Sequence, residues 1–246
     1  MRRFFIDRKK IKGDRVVIDG EEAHHIRDVI RLKAGDTFLG LDGAGKTYRL
    51  RIKKITKAVE AEIEEILSKE LNMPRVLLAC ALPKGRKFED IIEKAAELGV
   101  SEIIPMVTQR TIVKVGDIDK AIKQKRWEKI AIEAAKQCGR DVLPRVYEAV
   151  KFEEAVKLTE SLGYKKKIIP CLGDDTKYIS DALSGETKEA AVFIGPEGDF
   201  SWKEIDHAKA CGLVPVSLGP LVLKVDTACI FALSVIQAYL YHNVIV

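Results

Sequence analysis

Residues Ala190 to Val246 read AAVFIGPEGDFSWKEIDHAKACGLVPVSLGPLVLKVDTACIFALSVIQAYLYHNVIV, and the fold is decided by this stretch. Ala190 to Ile194 is a short apolar run stopped by Gly195-Pro196, the pattern of a strand buried on both faces. Ser201 stands three residues before Glu204, with Phe200 and Ile205 placed to pack across the turn. A capping box and a hydrophobic staple therefore predict a helix starting at Ser201. The loop between, Gly195-Pro196-Glu197-Gly198-Asp199, holds two glycines expected to allow positive φ and close backbone approach to a ligand. Its two carboxylates argue against phosphate as that ligand.

A second unit repeats the plan. Val214 to Leu218 is the next strand, Gly219-Pro220 breaks it, and Leu221-Val222-Leu223 is an apolar loop. A helix is expected to begin near Asp226-Thr227, either of which can cap it. From Ala228 to Tyr241 it is apolar on nearly every side, as in a helix buried by a sheet and by a second subunit. Two such units bring two loops to the carboxyl edge of one parallel sheet, where open α/β sheets bind ligands. An apolar loop beside a Gly-rich one suits a flat ring such as adenine, with a small positive centre near Glu197.

Working outward, Arg75 to Leu82, Glu102 to Val107 and Lys167 to Leu172 read as further strands, with helices over Phe88 to Leu98, closed by Gly99, and over Ala121 to Cys138. Trp127, Ile130, Ala131 and Ala134 form the inward face of the second helix, and Glu133, Gln137 and Arg140 a polar stripe. The basic loop Lys84-Gly85-Arg86-Lys87 at a helix start suits an RNA phosphate or is simply an exposed loop.

The first 57 residues differ in character, with sixteen Lys/Arg against eight Asp/Glu in a chain whose net charge is only +5. A basic module joined to a nearly neutral one fits an enzyme with a polyanionic substrate, or a solvated basic surface. Phe4 to Ile6, Arg15 to Ile18, Thr37 to Leu41 and Tyr48 to Ile55 have strand character, and the last alternates Tyr48, Leu50, Ile52 with Arg49, Arg51, Lys53, offering a basic face. Glu21 to Leu32 is expected to be a short helix; its adjacent His24 and His25 cannot share one face as a metal pair would. Glu60 to Asn72 reads as an acidic link between modules. Gly40-Leu41-Asp42-Gly43-Ala44-Gly45-Lys46-Thr47 satisfies the P-loop expression letter for letter, but strand-period sequence follows it and Asp42-Gly43 is a hairpin signal. A hairpin tip is expected there, not a nucleotide site. The five cysteines are odd in number and free of any C-x-x-C pair, as in a reduced cytoplasmic protein with no zinc site. No segment looks like a signal peptide or a membrane span.

Gly195-Pro196-Glu197-Gly198 with Phe200-Ser201 and Glu204, followed by Leu218-Gly219 and Leu223-Lys224-Val225-Asp226-Thr227-Ala228, resembles the paired signature of the SPOUT class of RNA methyltransferases, within it the RsmE family. The N-terminal module is similar to that family's PUA-like domain, on His24-His25, Arg31 and Gly35-Asp36. The resemblance implies an α/β fold in two domains: a PUA-like RNA-binding β-barrel over 1–70 and, over 73–246, a SPOUT domain with a trefoil-knotted, mostly parallel sheet and flanking helices. It implies methylation of N3 of a uridine in small-subunit (16S) ribosomal RNA by a homodimer that uses S-adenosyl-L-methionine and no metal. A non-catalytic, ribosome-binding assembly factor of the same fold is the alternative.

On this resemblance the cofactor would lie among three loops. These are Leu172-Gly173 with Asp174-Asp175, then Ile194, Gly195, Pro196, Glu197 and Gly198, then Leu218, Gly219, Val222, Leu223, Thr227 and Ala228. RNA would meet Arg2, Arg3, His25, Arg27, Arg31, Lys84, Arg86 and Lys224. Uridine N3 must lose a proton, for which Glu197 and Asp226 are the candidates, Asp226 being equally a helix cap. Arg110 and Arg140 would stabilise charge on the uracil oxygens or bind phosphate. Trp127, Glu133, Gln137 and Arg140 become site or dimer residues in the same light. The chain departs from the family's usual pattern in carrying Leu221 for an Arg, Val225 for a Thr, and Asp199 where Gly is common.

Overall fold

The computed structural model describes residues 1–67, 74–85, 87–112, 117–173, 176–185 and 187–245. The chain divides into two compact units, one of Met1–Leu71 with Ala135–Leu143, the other of Asn72–Ala134 with Pro144–Val246.

The first unit is built on six strands, β1 (Arg3–Phe5), β2 (Ile11–Lys12), β3 (Arg15–Ile18), β4 (Thr37–Leu41), β5 (Thr47–Ile55) and β6 (Val59–Leu67), in the order β1-β4-β5-β6-β3-β2. Only the β1–β4 pair is parallel. Register shifts between Arg49 and Leu50 and between Ile52 and Lys54 bend the long β5–β6 pair, as bulges do. The sheet curls round a core of Phe4, Ile18, Phe38, Leu50, Ile52 and Val59. Helix α1 (Gly20–His24) runs on into a π-turn over His25–Val29, with Ala23 and Ile26 in that core.

Glu60 to Leu67 is therefore a full strand of the sheet rather than a link. Its alternate carboxylates answer the basic face of β5: Arg49 pairs with Glu65 at 2.7 Å, Arg51 with Glu64 at 2.5 Å and Lys53 with Glu62 at 2.5 Å. Cross-strand pairing of opposite charges is favourable, and it removes most of the basic surface that β5 alone promised.

The second unit carries an all-parallel sheet. Its strands are β7 (Arg75–Ala81), β8 (Glu102–Val107), β9 (Arg145–Val146), β10 (Val150–Lys151), β11 (Lys167–Pro170), β12 (Lys177–Tyr178), β13 (Glu189–Ile194) and β14 (Val214–Ser217). Their order is β10-β8-β7-β13-β11-β14-β12, with β9 beside β8. The helices are α2 (Lys87–Glu97), α3 (Asp117–Cys138), α4 (Phe152–Ser161), α5 (Ile179–Ala182), α6 (Trp202–Ala210) and α7 (Val225–Ile245).

Strand periodicity sorts the sheet's side chains into two apolar layers. Val76, Leu78, Cys80, Val192 and Ile194 face α2, α5 and α7, while Leu77, Ala79, Ala191 and Phe193 face α4 and α6. Trp127 of α3 is core, its ring edge-on to Phe88 at 4.8 Å. Gly99, at φ +87°, ends α2 in a Schellman motif: Val100 N–H reaches Ala95 O at 3.0 Å and Gly99 N–H reaches Ala96 O at 3.1 Å.

Candidate active site

Three neighbouring parallel strands, β13, β11 and β14, end at the same edge of the sheet, and the segments that leave them wall a cleft. It has about 640 Å³ of free space, part of it open to solvent. Pro170, Cys171 and Leu172 come from β11, Ile194, Gly195, Pro196, Glu197 and Asp199 from β13, and Ser217, Leu218, Gly219, Leu221, Val222 and Leu223 from β14. Val225 and Ala228, in the first turn of α7, close the floor. This is the carboxyl end of a parallel sheet, where main-chain groups left unpaired by the strands are available to a ligand.

The loop after β13 is held from several sides. Ser201 caps α6, and its N–H and hydroxyl both donate to Glu204 Oε2, at 2.8 and 2.9 Å. The other oxygen of this buried carboxylate accepts the Gln109 N–H at 2.8 Å, tying the loop to the exit of β8. Arg110 donates to the carbonyls of Gly198 at 2.6 Å and Phe200 at 3.3 Å. The Phe200 and Ile205 pair expected as a staple is buried in one cluster.

Positive φ falls on Asp199, at +61°, not on Gly195 or Gly198. Gly195 is needed for a different reason: a Cβ there would stand 3.0 Å from the Phe200 ring. Gly219, at +124°, does adopt a backbone that favours glycine.

Ten of the residues expected to hold a cofactor border the cleft: Leu172, Ile194, Gly195, Pro196, Glu197, Leu218, Gly219, Val222, Leu223 and Ala228. Gly173, Gly198 and Thr227 do not, and Asp174-Asp175 lies outside the described residues. Pro170, Cys171, Asp199, Ser217, Leu221 and Val225 also line the cleft, Asp199 and Leu221 as parts of the two loops already expected to face a ligand. Pro170, Cys171 and Ser217 were signalled only by their place at a strand exit, and Val225 only by the start of α7.

Of the four proposed catalytic residues, Glu197 and Arg110 meet at one loop, since Arg110 donates to the carbonyl of Gly198, the residue after Glu197. Glu197 is exposed in the cleft, whereas Asp226 is one residue behind its floor, with a buried Oδ1 that has no hydrogen-bond partner among the described residues. Because α7 starts at Val225, Asp226 and Thr227 lie inside the first turn and neither caps it. Arg110 is spent on the loop carbonyls, and Arg140 belongs to the residues that join the first unit.

Among the residues assigned to RNA, Arg3 donates to Gly139 O and Arg27 to Asp28 and to the carbonyls of Thr56 and Lys57. His25 packs edge-on to Phe4 at 5.6 Å between ring centres. Arg2, Arg31, Lys84 and Lys224 are exposed, Arg31 with φ +60°, and Arg86 lies outside the described residues.

The P-loop look-alike is a hairpin tip, followed directly by β5. Asp42 Oδ1 accepts the N–H groups of Ala44 and Lys46 at 2.9 and 3.0 Å, so the amides that would cradle phosphate are already taken. Leu143 packs so near that a Cβ on Gly43 would come within 2.9 Å of it. Among the described residues no cluster of three or more His, Cys, Asp or Glu could hold a metal, and no helix is long and apolar enough to cross a membrane.

Comparison with known proteins agrees with this architecture. Residues 69–237 match the RNA methyltransferase domain and residues 18–70 the RNA methyltransferase PUA domain. The chain is 32% identical to ribosomal RNA small subunit methyltransferase E of Bacillus subtilis, over 96% of either chain. To the Synechocystis protein of the same name it is 34% identical, over 92% of this chain and 73% of the relative. A Legionella pneumophila protein described as a methyltransferase, solved with its cofactor SAM bound, superposes with a TM-score of 0.82 at 32% identity, covering 96% of both chains. With a PUA module ahead of a parallel sheet whose strand exits form one cleft, and relatives alike over nearly their whole length, the chain belongs to the ribosomal RNA small subunit methyltransferase E family of RNA methyltransferases.

Proposed function

We propose that the protein methylates N3 of a uridine in small-subunit ribosomal RNA with S-adenosylmethionine as donor, in the cytoplasm, as a homodimer whose C-terminal domain is a trefoil knot. The observation that carries this reading is the cleft formed by three adjacent strand exits. Its composition fits the donor: Ile194, Leu218, Leu223 and Val225 offer apolar walls to an adenine ring, and the main chain of Gly195 and Gly219 borders the same cleft. The exposed carboxylate of Glu197 suits a cationic sulfonium.

S-adenosylmethionine supplies an electrophilic methyl carbon, so the protein's task is to orient, to exclude water and to move one proton. Ile194, Gly195, Pro196, Leu218, Gly219, Val222, Leu223 and Ala228 bind and dry the donor. Glu197, the exposed carboxylate on the cleft, accepts or relays the N3 proton; Asp226, with its unpaired Oδ1, supports negative potential at the start of α7. The exposed Arg2, Arg31, Lys84 and Lys224 meet RNA phosphate. Ile230 and Phe231, each 40% exposed on a face of α7 that also carries the exposed Thr227, Ser234 and Ala238, face a second copy.

Calorimetry should find one S-adenosylmethionine site per chain and no ATP binding. Mass spectrometry of small-subunit RNA from a strain without the protein should show one N3-methyluridine missing. The Glu197→Gln variant should lose about 100-fold or more in kcat while binding the donor within about threefold of wild type. Silence toward S-adenosylmethionine, or ATP binding in its place, would overturn the reading.

A further inference from the structure

We infer that Asp199 is a positioning residue that sets the width of the methyl-donor cleft by stitching two of its walls together; the inference rests on the reading of that cleft as the donor site. The Asp199 N–H closes a turn on Pro196 O at 2.9 Å, and the residue then adopts φ +61°, a region an L side chain enters only at a cost. Asp is among the few residues that tolerate it, because a short polar side chain can find main-chain partners nearby. Here the partners lie on both walls. Oδ1 accepts the Phe200 N–H at 2.8 Å, and Oδ2 accepts the Leu172 N–H at 2.9 Å across 27 residues of sequence.

Among the described residues that second bond is the sole hydrogen bond between the segment leaving β11 and the loop leaving β13. Cys171, one residue earlier, is anchored on the other side, its N–H to Val216 O of β14 at 3.1 Å. Leu172 itself is 62% exposed, so side-chain packing does little to hold it. Among the described residues, hydrogen bonds thus pin the first wall to the third through Cys171 and to the second through Asp199. Charge-assisted bonds to backbone N–H groups are stronger than neutral ones, and a wall held in place before the ligand arrives need not be ordered by it. Removing the carboxylate should weaken donor binding and leave the step after binding nearly untouched.

Glycine separates this role from a mere turn. Asp199→Gly keeps the backbone conformation and removes both acceptors. If the turn were all that mattered, glycine would serve as well as or better than aspartate.

The expected result for Asp199→Gly is a dissociation constant for S-adenosylmethionine raised about tenfold by calorimetry, equivalent to about 1.4 kcal/mol. KM for the donor should rise with it, kcat at saturating donor should stay within about twofold, and the ligand-free melting temperature should stay within about 2 °C of wild type. Asp199→Asn keeps one acceptor oxygen and tolerates the same φ, so it should recover part of the affinity, to about threefold from wild type. Wild-type affinity in the glycine variant would overturn the inference, as would a loss confined to kcat. A fall in the ligand-free melting temperature of both variants, with affinity lost in proportion, would make Asp199 a structural residue only and overturn it too. If the wild type itself does not bind S-adenosylmethionine, the donor reading fails first and the inference with it.

Discussion

Cys171 borders the cleft with its thiol pushed up to about 11, first by burial and then by the neighbouring Asp199 carboxylate. A raised thiol stays protonated through neutral pH, and its reactive thiolate fraction grows tenfold per pH unit until about 11 is reached. Cys171 should therefore be alkylated at pH 7.5 about a hundred times more slowly than an ordinary cysteine, while the exposed Cys138 reacts first. The rate at Cys171 should climb tenfold per unit toward pH 10 and fall when S-adenosylmethionine is present. Peptide mass spectrometry of a timed alkylation series checks this, and fast labelling of Cys171 at neutral pH would refute it. Single residues also show what the sequence withholds. Glycines in the Gly195 to Asp199 loop invited a positive φ, yet Asp199 adopts it, with its side chain bonded to the Leu172 N–H. Arg110 looked free to meet a substrate, and its partners turn out to be carbonyls 88 and 90 positions away.

At the scale of elements, α6 began where the Ser201 to Glu204 spacing placed it, since a capping box is complete within four residues. Glu204 does more than cap: its second oxygen holds the Gln109 N–H, so one buried carboxylate joins the start of a helix to the exit of β8. Glu204→Ala should destabilise the protein by about 2 kcal/mol or more, through a lost cap and buried N–H groups left without acceptors. Denaturant unfolding measures it, and a change under about 0.5 kcal/mol would contradict it. Glu204→Gln, which keeps acceptor and reach, should lose less. Helix α7 began earlier than its polar residues suggested, because Val225 is buried and the apolar face alone carries the helix back past Asp226. Strand β6 was mistaken for a linker: its run of carboxylates reads as solvated until the cations of β5 are placed opposite.

Over the whole molecule, pairing within the first unit limits how strongly it can attract RNA. Residues 1–67 hold sixteen Lys/Arg against twelve Asp/Glu once β6 is counted. If that excess neutralises about four phosphates of a single strand, affinity for ribosomal RNA should fall about 50-fold between 50 and 200 mM salt. Filter binding across that range tests it. A loss of several thousandfold would mean that far more cations touch RNA than this charge balance provides. The same contrast separates what sequence and tertiary structure each decided. Sequence alone determined the main strands, the capped helix at Ser201, the hairpin at Gly43 and the Gly-Pro strand exits at Gly195 and Gly219, because each depends on periodicity or on contacts within a few residues. The tertiary structure alone decided that β13, β11 and β14 lie side by side, that Asp199 reaches Leu172, and that Arg110 is occupied. Those facts rest on pairings between residues tens of positions apart, and local preference does not encode which distant main-chain group a side chain will meet.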